Sequence, residues 1–205
     1  MRVSAFWIAA ACLLAGVHTG SAADREDVVA ATYDAFSVSP PTPASVFICH
    51  GFGCKYRTEV AFGPKDRAIL ARFLAAGKAS AAAERTAISK AGAWFDKRIG
   101  PSAGTQGHVA RAGAKYMYDT GQFDCVDSSR NMTTLLLVLE QLKLLRHHEV
   151  DVPVARGYII DTRPPHVTAV LIEKAGGKKW AVDSWTRAYG QAPEILPLSV
   201  WETLD

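Results

Sequence analysis

The chain has 205 residues, 49% of them hydrophobic, enough for one domain with a full apolar core. Its formal net charge of +3 is scattered, with no basic block interleaved with aromatics, which argues against nucleic-acid binding. Beyond Val17 no apolar run is long enough to span a bilayer, which argues against stable membrane insertion.

The first residues read as a removable secretory leader. Arg2 supplies the positive start, Ala5 to Val17 the apolar stretch, and Ser21-Ala22-Ala23 the small residues before a cut ahead of Asp24. A lipid-anchor role for Cys12 is the alternative, with a shorter apolar stretch before it. The division expected is therefore a signal peptide over 1–23 and one domain over 24–205, in a periplasmic or secreted protein.

Asp24 to Phe36 reads as a short helix, ended by the extended Ser39-Pro40-Pro41-Thr42-Pro43. Val46 to Cys49 and Tyr56 to Phe62 read as strands around a cysteine loop. Pro64 opens a helix with Ile69, Leu70, Phe73 and Leu74 on one face, and Gly77 ends it. Ser80 caps a second helix presenting Ala87, Ile88, Ala91, Trp94 and Phe95, and Gly100-Pro101 is expected to break it. A weaker helix is expected from about Gln106 to Tyr118.

Cys125 then opens the central helix. Asp124 is its N-cap and Asp127 completes an arrangement close to a capping box. Met132, Leu135, Leu136, Leu139, Leu142 and Leu145 recur at helical spacing, and His147-His148 close the segment. Strands follow at Val154 to Asp161, His166 to Glu173 and Lys179 to Trp185, with Gly176-Gly177 as a hairpin turn. Helices followed by an antiparallel sheet make an α+β fold.

Export would place the thiols in an oxidising compartment. Cys49 and Cys54 flank His50-Gly51-Phe52-Gly53, a loop short and glycine-rich enough for a local disulfide. Their use as a redox pair is disfavoured, because four residues separate them and no thioredoxin-like pattern surrounds them. Cys125 is then the odd thiol, kept either as a small buried residue or for chemistry.

A sulfur at a helix N-terminus feels the positive end of the dipole, which favours thiolate. His166, stiffened by Pro164-Pro165 and entering a strand, is the candidate base, and Asp183 the candidate orienting acid. Asp161 is the rival orienter. A tight turn at Gly176-Gly177 would pair Asp183 with Val170 and leave His166 roughly 13 Å further along the strand. Direct contact would then need a turn nearer Lys174-Ala175, or a bulge. The backbone N–H of Cys125 and the side chain of Gln122 are the candidate oxyanion donors.

Asp124-Cys125-Val126-Asp127, Pro165-His166-Val167 and Val182-Asp183 together resemble the bacterial transglutaminase-like cysteine proteinases. The separations, 41 residues from Cys125 to His166 and 17 from His166 to Asp183, also resemble that family. Asp183-Ser184-Trp185 is similar to the Asn-Ser-Trp element of papain-type enzymes, with aspartate for asparagine. The likeness covers about a third of the chain and implies a papain-like, transglutaminase-like core, with a central helix packed on an antiparallel sheet. It implies a Cys125-His166-Asp183 triad in an exported thiol hydrolase, a cysteine peptidase acting on peptide or isopeptide bonds in a protein or peptide substrate. Transglutaminase-type acyl transfer and a non-catalytic partner-binding domain of the same fold are the alternatives. No cofactor or metal is expected. The best-known branch of the family binds calcium through an Asp-Cys-Glu-Asp run, and here Val126 replaces the glutamate. Asp124 and Asp127 alone offer too few oxygen ligands.

Overall fold

The computed structural model describes residues 33–34, 37–157 and 165–204. The expected leader, most of the helix expected over Asp24 to Phe36, and Asp161 lie outside the described residues. The fold is α+β, with two antiparallel sheets packed around one helix.

The first sheet is a hairpin of β1 (Ser45–His50) and β2 (Tyr56–Ala61), with His50 opposite Tyr56 at its closed end. Val46, Ile48 and Val60 turn into the core. The disulfide Cys49–Cys54 closes the hairpin loop, as the spacing suggested.

Helix α1 (Pro64–Ala75) starts where expected, with Pro64 in its first turn and the Asp66 carboxylate accepting from the Gly63 N–H at 2.9 Å. The Ser80 hydroxyl caps α2 (Ala81–Ala103), accepting from the Ala83 N–H. Contrary to expectation, α2 runs through Gly100-Pro101 and stops only at Gly104, whose φ of 72° is left-handed. Proline removes the donor that would bond the carbonyl four residues back, here Lys97. The Tyr189 hydroxyl donates to that carbonyl instead, at 3.2 Å. Near a helix C-terminus this substitute suffices.

The helix expected from Gln106 to Tyr118 does not form. Only a 3-10 turn, Ala114–Tyr116, interrupts an irregular segment. Its backbone donors are spent elsewhere, Val109 on the Gln122 side chain and Arg111 on the Trp185 carbonyl, so no helical ladder can use them.

Helix α3 (Cys125–Gln141) begins at the residue predicted and is buried on nearly every side, against both sheets and α2. Burying its leucine face supplies a large part of the core, at about 1.5–3 kcal/mol per fully buried side chain. The helix ends earlier than the leucine stripe suggested. Lys143 takes a positive φ of 57° and the Leu144 N–H bonds back to the Leu139 carbonyl, so Leu145, His147 and His148 are not helical.

The second sheet has the order β3-β4-β5-β6, all antiparallel. Strand β3 (His148–Arg156) starts six residues before the expected Val154 and carries an irregularity between Asp151 and Val154. Strand β4 (His166–Glu173) matches expectation, and β5 (Lys179–Asp183) stops two residues short of it. An edge strand β6 (Glu194–Pro197) and a single-turn helix α4 (Leu198–Trp201) carried no clear signal in the sequence. The proline of β6 is tolerated because it sits at the end of an edge strand. No helix among the described residues is long and apolar enough to cross a membrane.

Candidate functional site

The start of α3 is held by the disulfide hairpin. Asp124 and Asp127 form a capping box, each carboxylate accepting the other's backbone N–H. The same carboxylates accept three donors from the hairpin loop. The N–H groups of Phe52 and Cys54 reach Asp127 at 2.8 and 2.7 Å, and that of Gly53 reaches Asp124 at 2.8 Å. Residues Gly51 to Cys54 all have positive φ, a run that turns successive N–H dipoles toward the anions. One turn further along, the Asn131 amide exchanges hydrogen bonds with both backbone groups of Cys49, at 2.8 Å each.

Both acids are thus engaged by backbone donors. Their oxygens face the positive ends of backbone dipoles, an environment hostile to a cation. Among the described residues no group of three or more His, Cys, Asp or Glu side chains is placed to hold a metal. Burial and the neighbouring Asp124 charge push the Asp127 carboxyl up to about 7, against the pull of its three N–H donors.

Cys125, the first residue of α3, is a free, half-buried thiol. The dipole argument expects a depressed thiol, and the structure differs. Burial pushes the Cys125 thiol up, and the charges of Asp124 and Asp183 add to that, against hydrogen bonds from the Val167 N–H and its own. Burial is the larger cause, and the charge of the N-cap Asp124 offsets the positive field of the helix start at the sulfur. The Val167 contact sets the sulfur against the first residues of β4.

His166 is the neighbouring residue and is 5% exposed. Its Nε2 lies 2.6 Å from Asp183 Oδ2, and its Nδ1 is buried with no hydrogen-bond partner. The ring packs against Trp185 and Trp201, with centroids 4.7 and 5.3 Å away. Asp183 is further held by the Trp201 indole N–H to Oδ2 at 2.9 Å and by the Trp185 backbone N–H to Oδ1 at 3.1 Å. Burial acts to raise the Asp183 carboxyl. The hydrogen bond and charge of His166, together with the Trp201 and Trp185 donors, outweigh it and hold the carboxyl below its ordinary value.

The register resolves the geometric difficulty. The β4–β5 turn is a four-residue loop, Lys174 to Gly177, closed by the Glu173 N–H on the Lys178 carbonyl. Ala169 pairs with Val182, so the next position sets Asp183 opposite Thr168, one same-face step from His166. Such diagonal neighbours lie about 7–8 Å apart at the backbone, within reach of an imidazole and a carboxylate. The expected Gly176-Gly177 tight turn is therefore corrected by a shift of the turn's centre, and no bulge between β4 and β5 is required.

Gln122 is placed just before the helix. Its Oε1 accepts the Val109 N–H at 2.9 Å and its Nε2 donates to the Gly107 carbonyl at 3.2 Å, so it clasps the 107–109 loop. One of its two amide protons is thereby committed. The other described histidines are engaged elsewhere. His50 bridges the Thr120 carbonyl and Thr58, His108 bonds Asp96, His147 meets the Lys78 carbonyl, and His148 bonds buried Glu84. The sequence reading missed the Trp201 contact and the hairpin clasp. Both join residues far apart in the chain without local pattern.

Compared with family models, with curated proteins and with solved structures, the chain matches none.

Proposed function

We propose that the protein is a thiol hydrolase, a cysteine peptidase that cleaves peptide or isopeptide bonds through an acyl-enzyme on a papain-like, transglutaminase-like core. The carrying observation is the His166 ring. One nitrogen is fixed by a carboxylate at 2.6 Å, and the other is buried and unpartnered, while the adjacent Val167 N–H meets the Cys125 sulfur.

In this reading Asp183 fixes the tautomer with the proton on Nε2, leaving Nδ1 as the base. Nδ1 takes the Cys125 thiol proton as the sulfur attacks the carbonyl carbon. It returns that proton to the leaving amine when the C–N bond breaks. Water then attacks the thioester, giving its proton to Nδ1, and the carbon–sulfur bond breaks to release the acid and the thiol. The Cys125 N–H and the uncommitted Gln122 amide proton are the oxyanion donors in this scheme. An amine in place of water would give acyl transfer, and excess amine with a labelled acyl donor separates the two outcomes.

Alkylation tests the reading. Iodoacetamide should modify Cys125 at about pH 6, well below the ordinary thiol value of about 8.5, and His166→Ala should abolish that reaction. The raised Cys125 thiol favours the rival reading, a partner-binding domain without catalysis. A thiol that reacts only at alkaline pH, with or without His166, would establish that rival.

A further inference from the structure

We propose that Trp201 is a positioning residue for the His166–Asp183 pair, an inference that rests on the thiol-hydrolase reading above. The Trp201 indole N–H donates to Asp183 Oδ2, the same oxygen that faces His166 Nε2. With the Trp185 backbone N–H on Oδ1, the carboxylate is held at both oxygens and cannot swing away from the imidazole. The ring also walls one side of His166. Trp201 is 1% exposed.

The chain beyond the last strand of the sheet supplies this group. Pro197 ends β6, and the single turn of α4 folds back on β5 and β6. Arg156, which pairs with His166 in the β3–β4 register, places its guanidinium 4.6 Å from the centre of the Trp201 ring. It also donates to the Trp201 carbonyl at 2.8 Å and to the Leu204 carbonyl, securing the turn. A tryptophan kept only for its bulk would have no reason to aim its one polar atom at the acid of the triad.

The indole N–H is one of the donors that keep Asp183 ionised. The other charged or titratable groups around that carboxylate are His166 on β4 and Cys125 at the start of α3. Glu194 lies opposite on β6, engaged by Arg187 and Thr186, and Arg156 lies on the Trp201 ring. Trp201→Phe replaces none of these groups, keeps an aromatic ring beside His166 and Arg156, and removes the donor to Asp183.

The test uses the whole protein labelled with carboxyl-13C aspartate, the Asp183 signal being assigned by its loss in Asp183→Asn. In Trp201→Phe the Asp183 protonation midpoint should rise by about half a pH unit or more, and the acid limb of Cys125 alkylation should move with it. A folded Trp201→Phe protein with an unchanged midpoint overturns the proposal. If that variant does not fold, the wild-type indole N–H resonance of Trp201 decides. It should shift with the Asp183 midpoint, and an indole blind to that titration overturns the proposal. An inert Cys125 in wild type, alongside a shifted midpoint in the variant, would remove the hydrolase reading and leave the hold of Trp201 on Asp183 standing.

Discussion

The backbone N–H of Cys54 lies 2.7 Å from the Asp127 carboxylate, although the two residues are 73 apart in sequence. The disulfide hairpin and the helix that carries the free thiol are joined at this point. The position of Cys125 therefore depends on a loop that contains none of the candidate catalytic residues.

Replacing Cys49 and Cys54 together by serine should destabilise the protein and leave Cys125 chemistry intact. Loop-closure entropy alone is worth about 2 kcal/mol for so short a loop. Urea unfolding should show a lowered midpoint with that loss, and alkylation of Cys125 in the folded variant should retain its pH profile. A loss of Cys125 reactivity at unchanged stability would instead give the pair a direct role.

Asp127 should make stability fall as pH rises through the neutral range. Its folded value, about 7, lies above the ordinary 3.8, so between those limits the folded state binds more protons than the unfolded state. The stability slope with pH is then negative across that window. Thermal melts from pH 4 to 8 check this, and Asp127→Asn should flatten the slope. It should also lower the melt overall, because its amide NH2 would face backbone donors that now meet an oxygen.

Asp183 should act in the opposite sense. Its folded value is depressed, so its stabilising contribution is present above the ordinary carboxyl range and is lost as pH falls through the folded value. Asp183→Asn should keep the fold and slow Cys125 alkylation at pH 6, by up to on the order of 10⁴-fold, the loss in kcat that removing an orienting carboxylate causes in serine triads. Stopped-flow or mass-resolved labelling measures the rate.

Gly100→Ala should destabilise the protein even though alanine is the better helix former by about 1 kcal/mol. A β-carbon at Gly100 would sit 2.6 Å from the Tyr189 ring, displacing the hydroxyl that serves the Lys97 carbonyl. Tyr189→Phe, which keeps the ring and loses only that bond, should cost about 1 kcal/mol. A stabilised Gly100→Ala variant would show that Tyr189 is not needed for α2 to pass Pro101.

Local chemistry made much of the scaffold legible. Asp124 before an apolar periodic run marks a helix start, and α3 begins at the residue so marked. The alternating run after Pro165 marks β4, and two cysteines around a glycine loop mark the disulfide. Gly100-Pro101 misled because a lost helical bond was counted without its replacement from Tyr189, a residue distant in sequence. The stretch from Gln106 to Tyr118 misled because its donors are claimed by Gln122 and Trp185.

Capping, periodicity and turn composition act over a few residues, so the order of Cys125, His166 and Asp183 and the elements that carry them are readable along the chain. That His166 and Asp183 meet is fixed by the folded register, since a one-residue change in turn centre shifts the cross-strand partner by two positions. Packing likewise brings the hairpin's N–H groups to Asp124 and Asp127 and the Trp201 indole to Asp183. These contacts join side chains brought together by packing, and no local pattern in the chain encodes which distant partner a buried polar group will find.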